Sequence, residues 1–260
     1  ALPSLARYAG IDRGDGTIGL AGQAEASRGC LHRCRHCPIP ALYDGRFFVV
    51  PEAVVLADIR RQVEAGATHV TFGDPDFLNG PRHAMAIARA LHREFPRVTF
   101  DMTTKIQHLL AHRALLPELA ALGCVFVVSA VESLSDRVLA ILDKGHTRAD
   151  VVEALALTRA AGIRLRPSLV PFTPWETLDS YLSLYHFVDE HQLWDAVDPV
   201  HMTIRLLVPP GSLLLDHPEM KPHLGPLDAE RLTWRWTHPD PRMDALQASL
   251  AELAARAAQA

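Results

Sequence analysis

Cys30-Leu-His-Arg-Cys34-Arg-His-Cys37 places three thiols within eight residues. It follows directly on residues 19–27, which read as a β-strand. The fourth cysteine, Cys124, stands far downstream. A disulfide framework spreads its cysteines to close long loops, and this chain does not. Three soft thiolates, separated by three residues and then by two, suit a single metal centre held from one loop.

Downstream of that loop, β-rich runs alternate with helical stretches. Residues 68–72, 98–103, 124–129, 163–170 and 200–207 read as strands. Helices are predicted over 51–66, with Pro51 opening and Gly66 closing it, and over 81–95 with Met85, Ile87, Ala88 and Leu91 inward. Others run up to residue 122, over 133–142, from Thr147 to Gly162 and over 175–191. Cys124-Val-Phe-Val-Val-Ser129 is continuously apolar apart from its last residue, as in a strand covered on both faces. Six strand–helix units in this order predict an α/β fold, a partial (β/α)6 TIM barrel. Pro209-Pro210-Gly211 then breaks the chain, and a Pro- and His-rich extension ends in an Ala-rich helix from about Met243. No Gly/Ser linker interrupts the sequence. One domain over 1–260 is expected, with its core at 20–208 and a C-terminal extension at 209–260.

Composition excludes several classes. The chain has 260 residues, 48% of them hydrophobic, enough to bury a large core without covalent staples. Lys and Arg number 26 against 30 Asp and Glu, a net charge of −4, which is not the basic footprint of a nucleic-acid binder. No apolar run reaches the length of a membrane span. The opening residues, Ala1-Leu2-Pro3-Ser4-Leu5, lack a basic region followed by an apolar core, so no signal peptide is expected. Clustered reduced thiols fit a cytoplasmic location.

Three readings of the cysteine loop compete. A structural zinc site needs a fourth ligand, with His32 or His36 at hand, yet zinc usually draws on two separated pairs. A chance cluster of thiols is the bland alternative. An iron–sulfur cluster on three cysteines leaves one iron open to a substrate or cofactor.

CxxxCxxC after the first strand, with five βα units behind it, resembles the signature of the radical S-adenosylmethionine (SAM) enzymes over residues 20–208. The resemblance implies a [4Fe–4S] cluster on Cys30, Cys34 and Cys37, whose fourth iron chelates SAM. It implies a small-molecule substrate and an external one-electron donor, of flavodoxin or ferredoxin type or a chemical reductant. His36 takes the place of the usual aromatic residue near the adenine. Gly73-Asp74-Pro75-Asp76 stands where the family commonly has Gly-Gly-Glu, so Asp74 or Asp76 would meet the SAM amino group; an Asp-Pro turn is the competing explanation. Ser129 and Glu132 correspond to ribose-contacting positions, against a helix-capping role for Ser133 and its neighbours. Arg166 would pair with the SAM carboxylate, although Arg164 shares its strand parity and alternation cannot choose between them. Val170, Pro171 and Phe172 would lie by the adenine.

Thr104 and Lys105 end the third strand, where barrel enzymes place working residues. Asp76 and Lys105 are the catalytic candidates, with Thr104 a cofactor contact; a solvated lysine at a helix start is the alternative for Lys105. Cys124 is read as a core thiol. The aromatic stretch 234–238 either lines a substrate pocket or seals the barrel end. His108, His112, His186 and His191 lack metal-ligand spacing and are read as surface or hydrogen-bonded.

Residues 29–40, 169–175 and 204–212 also resemble radical SAM proteins with a Cys/selenocysteine-Ala-Glu-Pro tail and the related enzyme type of arsinothricin biosynthesis. That resemblance implies a 3-amino-3-carboxypropyl radical added to arsenite. Both groups carry a Cys-rich tail, and no such segment precedes Ala260. The alternatives are 5′-deoxyadenosyl-radical chemistry, by methyl transfer or hydrogen abstraction, and a non-enzymatic zinc module.

Overall fold

A computed structural model describes residues 4–7, 9–12 and 16–258. Residues 1–3, part of the stretch behind the leader expectation, lie outside them. The strands and α-helices are, in chain order, β1 (Ala9–Asp12), β2 (Ile18–Ala24), β3 (Ser27–Gly29), α1 (Ile39–Tyr43), β4 (Phe47–Val49), α2 (Glu52–Glu64), β5 (Ala67–Phe72), α3 (Pro81–Glu94), β6 (Thr99–Thr103), α4 (Ile106–Ala111), α5 (Leu116–Ala121), β7 (Cys124–Glu132), α6 (Asp136–Leu142), α7 (Arg148–Ala160), β8 (Arg164–Leu169), α8 (Leu178–Glu190), β9 (Leu224–Asp228), β10 (Thr233–Trp236) and α9 (Pro241–Ala257). The main sheet has the order β1-β2-β5-β6-β7-β8. Strands β2, β5, β6 and β7 are parallel, and β1 is an antiparallel edge.

The chain divides into two compact units. The first comprises Ala1–Leu31, Arg46–Ser129 and Glu153–Leu165, and the second His32–Gly45, Ala130–Val152 and Arg166–Ala260. Strands β7 and β8 run through both.

In the first unit the alternation of the strands sorts the side chains. Val70 and Phe72 stand beside Phe100 and Met102 on one face. They are buried there, with Phe72 4.6 Å from Phe77 and edge-on to Phe100 at 5.6 Å. Met85, Ile87, Ala88 and Leu91 of α3 are buried, the inner face expected from their spacing. The other face is polar: His69 Nε2 lies 2.8 Å from Asp101 Oδ2, which also accepts from the Thr71 hydroxyl at 2.6 Å. Gly123 turns the chain from α5 into β7 at φ +103°, where a Cβ would meet Val98 O at 3.2 Å.

The second unit is built on a different core. Val138, Leu142, Trp175, Leu206, Met220 and Trp236 are buried together. Trp236 Nε1 donates to Leu206 O at 2.8 Å, and the Arg205 guanidinium lies 3.5 Å from its ring centroid. Trp236 is therefore a core residue of this unit. Helix α8 begins in a capping box, with the Thr177 hydroxyl accepting from Ser180 N, an arrangement worth about 1 kcal/mol.

Several sequence expectations need correction. The strand expected at 19–27 divides into β2 and β3, and β3 pairs with β4 instead of extending the main sheet. The helix expected up to residue 122 breaks into α4, a 3-10 turn (Arg113–Leu115) and α5, since Pro117 sits in the first turn of α5 and cannot continue an earlier helix. The sixth strand, expected over 200–207, is reduced to one parallel bridge between Phe172 and Arg205; Pro199–Met202 forms a 3-10 turn instead. The hairpin of β9 and β10 was not expected, and it occupies part of the extension.

Candidate active site

In the first unit, Cys30 follows β3 and is buried. Its Sγ lies 3.8 Å from Asn79 Oδ1, which also accepts from Leu31 N at 3.4 Å. The two candidate aspartates have different work. Asp74 Oδ2 accepts from Ala26 N at 2.9 Å and Oδ1 from the Ser27 hydroxyl. Burial pushes the Asp74 carboxyl above its ordinary value, against the pull of these donors. Asp76 is fully buried and caps a 3-10 turn, Phe77–Asn79. Its Oδ1 accepts from the Thr104 hydroxyl at 2.6 Å and from Leu78 N at 3.2 Å, and His108 Nδ1 lies 2.8 Å from Oδ2. His108, read from sequence as surface or hydrogen-bonded, is thus a partner of a candidate site residue.

A Cβ at Gly73 would stand 2.6 Å from Gln23 Nε2, the tip of a flexible side chain. Lys105 is 7% exposed, not solvated. Ser129 is buried without a hydrogen-bond partner for its hydroxyl among the described residues. By alternation it shares a face with Val127. Cys124 is buried, and its thiol is pushed far up by burial and by the charge of Asp101.

In the second unit, Cys34 and Cys37 sit on one turn, with Cys37 N donating to Cys34 O at 3.2 Å. Arg35 fastens that turn: its N donates to Leu142 O at 2.9 Å, and Nη1 donates to Ala140 O and Ile141 O at 3.0 and 2.8 Å. The Ser212 hydroxyl donates to Arg35 O at 3.0 Å. His36 Nε2 lies 3.1 Å from Glu132 Oε1.

Glu132 is buried, with its backbone at φ +66° and its carbonyl accepting from Val170 N at 2.8 Å. A non-glycine residue in the left-handed region costs energy and marks a constrained position. Lys144 Nζ donates to Glu132 Oε1 at 3.2 Å. Burial works to raise the Glu132 carboxyl, but the Lys144 ammonium and the His36 ring outweigh it and hold it at about 2. Arg166 is half-buried and Arg164 exposed, so exposure separates the pair that parity could not. Phe172 is buried, with its ring 5.3 Å from Tyr181. Ser135, not Ser133, caps α6; the Ser133 hydroxyl donates to Glu176.

Sequence reasoning missed Asn79, Arg35, Lys144 and Ser212. A signal existed for Lys144 alone. Asp143 ends α6 in the left-handed conformation and Lys144 N returns to Leu139 O, the turn that a helix end before Lys-Gly makes.

None of the three clustered cysteines is in a disulfide, and Cys30 and Cys34 are buried. Three thiolate donors are the ligand type that iron–sulfur clusters take, so the donor set fits such a group.

Comparison with known proteins agrees. The Radical SAM superfamily description matches residues 25–188. The hopanoid C-3 methylase of Methylococcus capsulatus is 27% identical over 161 residues, covering 62% of this chain and 31% of that protein. The tRNA-2-methylthio-N(6)-dimethylallyladenosine synthase of Chlorobium phaeovibrioides is 28% identical over 179 residues, covering 63% and 38%. Among solved structures, the cobalamin-dependent radical SAM enzyme OxsB with aqua-cobalamin and SAM bound gives a TM-score of 0.70 at 18% identity, over 87% of this chain and 40% of that one. The methyltransferase TsrM from Kitasatospora setae, with cobalamin and a [4Fe–4S] cluster bound, gives 0.59 at 20% identity, over 67% and 33%. The chain spans only about a third to two-fifths of the length of these proteins, and the structural likeness bears out the expected fold class. The family match shows that this chain belongs to the radical SAM superfamily, whose members use a [4Fe–4S] cluster and SAM.

Proposed function

We propose that this chain holds its cluster on Cys30, Cys34 and Cys37 and cleaves SAM reductively, to deliver a carbon radical to a small molecule. The observation that carries the reading is the trio of thiols outside any disulfide, on the loop that follows β3, within a stretch matched to the family. When bound, the cluster passes one electron from an external donor to the sulfonium, and a carbon–sulfur bond divides into a thioether and a carbon radical.

The chain's own residues bind and orient. Glu132, kept ionised by Lys144, accepts from the ribose hydroxyls. The family resemblance assigns the amino group to the Gly73–Asp76 segment, the carboxylate to Arg166, and the adenine to His36, Val170 and Phe172. Asp76 and Lys105 remain the candidates for contact with the reacting atoms. Thr104, hydrogen-bonded to Asp76, fixes that carboxylate. The burial of Asp76 and Lys105 supports a water-poor setting for a radical.

Two finer readings follow. The resemblance of residues 169–175 and 204–212 supports release of a 3-amino-3-carboxypropyl radical and its addition to arsenite. The methylase and methylthiotransferase relatives support the 5′-deoxyadenosyl route instead. Reduced, oxygen-free protein incubated with SAM separates them: methylthioadenosine marks the first and 5′-deoxyadenosine the second. Intact SAM, with a full complement of iron and sulfide, would overturn both.

A further inference from the structure

No contact among the described residues accounts for the Asn79 amide nitrogen. It is the last residue of a 3-10 turn (Phe77–Asn79), and the next helix, α3, is entered through Gly80 with no side-chain cap. The residue is 8% exposed. Its Oδ1 faces the Cys30 sulfur at 3.8 Å and Leu31 N at 3.4 Å, while its Nδ2 is buried with no hydrogen-bond partner among the described residues. An unmatched buried amide donor costs about 1–3 kcal/mol, so its retention asks for a reason.

The chemistry of Cys30 supplies one. As a thiol it can donate to Asn79 Oδ1. As a metal ligand it is a thiolate and has no proton left, so a carbonyl oxygen and a sulfur, both lone-pair donors, would face each other. Turning the amide over exchanges Oδ1 and Nδ2 within the same volume. The stranded N–H then meets the sulfur; the cost is the long contact to Leu31 N and an Oδ1 that takes the unpartnered place of Nδ2. Hydrogen bonds to ligand sulfurs stabilise the reduced, more negative state of an iron–sulfur cluster and raise its potential.

We propose that Asn79 is a positioning residue for the cluster, donating Nδ2–H to the Cys30 thiolate and so setting how readily the cluster accepts its electron. This rests on the reading that Cys30 is a cluster ligand.

The test uses the full chain, reconstituted with iron and sulfide without oxygen, and reads the cluster's potential by an EPR-monitored redox titration. Asn79→Leu, which removes the donor at similar size, is expected to keep its iron and sulfide. Its one-electron reduction equilibrium should shift at least tenfold toward the oxidised form, which is 59 mV. A shift below twofold at full iron content overturns the proposal and leaves the cluster reading intact. A colourless wild-type protein overturns the cluster reading and the proposal with it. Wild-type protein carrying 15N in its asparagine side-chain amides provides a second readout that needs no variant. A 15N coupling to the reduced cluster by pulsed EPR, replacing the 14N pattern of unlabelled protein, is expected; its absence overturns the proposal even where Asn79→Leu fails to load.

Discussion

Lys144 Nζ lies 3.2 Å from Glu132 Oε1, with the lysine 2% and the glutamate 6% exposed. Two opposite charges withdrawn from water repay their desolvation only when each has the other. Lys144 reaches its position because α6 ends in a left-handed residue, Asp143 at φ +56°, that turns the chain back. Glu132 reaches its own at the end of β7 with φ +66°. The pair therefore joins a helix end to a strand end within the second unit, and it fixes the carboxylate proposed to meet the ribose.

Replacing Lys144 by methionine should destabilise the protein by about 3–5 kcal/mol, because Glu132 is left as an uncompensated buried charge. The dependence on pH identifies the cause. The Glu132 carboxyl is held at about 2, below its ordinary value of 4.5. Its contribution is thus fully present above about 4.5 and is lost as pH falls toward 2. The gap is worth about 3 kcal/mol. Urea unfolding between pH 3 and 7 should show this acid limb in the wild type and a much shallower one in Lys144→Met. An equal slope in both would refute the assignment.

Glu176 shows the opposite sign. Burial pushes its carboxyl above the ordinary value of 4.5, and the Ser133 hydroxyl, Ser180 and the charge of His238 only partly offset this. A raised folded value means that the stability contribution is complete below 4.5 and is lost as pH rises through the folded value. Glu176→Gln keeps an oxygen for the Ser133 hydroxyl and removes the ionisation. Relative to wild type the variant should gain stability as pH rises from 4.5, then level off. Thermal unfolding across pH 4 to 8 tests this, and a variant that loses ground as pH rises counts against it.

Part of this was legible in the sequence. The cysteine loop could be read because its three thiols lie within eight residues. The apolar run 124–129 could be read because a covered strand has no polar face to disguise it, although β7 continues to Glu132. Tertiary forces decided the rest. The expected sixth strand gives way to a 3-10 turn over Pro199–Met202, and only Arg205 pairs, with Phe172. Strands β9 and β10 are short and hold each other in an irregular register, a pairing that no local period announces. The residues missed at the site act across 49 positions for Asn79 and Cys30, 106 for Arg35 and Ile141, and 177 for Ser212 and Arg35. No motif spacing reaches so far.

Cys124 and Cys34 should behave oppositely. The Cys124 thiol is buried and pushed far up, so it is protonated and shielded from reagents in the folded protein near neutral pH. Titration of cluster-free protein with a thiol reagent at pH 8 should report at most three of the four cysteines before denaturation and all four after it. Cys124→Ser should leave the iron content of the reconstituted protein unchanged. Cys34→Ala should abolish the broad iron–sulfur absorbance and SAM cleavage together. Loss of iron from Cys124→Ser would contradict the core-thiol assignment.

Arg35 provides the last test, because it lies between Cys34 and Cys37, two of the proposed cluster ligands. Its guanidinium donates to Ala140 O and Ile141 O in the last turn of α6, where exposed carbonyls attract a cation. The Ser212 hydroxyl closes the arrangement on Arg35 O. The turn bearing Cys34 and Cys37 is thereby tied to a helix end and to a remote loop before any metal arrives. Removing the tie with Arg35→Ala should cost about 1.5–3 kcal/mol of folding stability, the range for hydrogen bonds to a charged group. Its larger effect should be on the turn: cluster loss to a chelator should run at least several-fold faster than in wild type, with the final spectrum after reconstitution unchanged. Arg35→Lys keeps the charge but not the fork, and it should lie between the two. Equal rates of cluster loss in all three proteins would mean that the turn is set by its own backbone and that the Arg35 contacts merely decorate it.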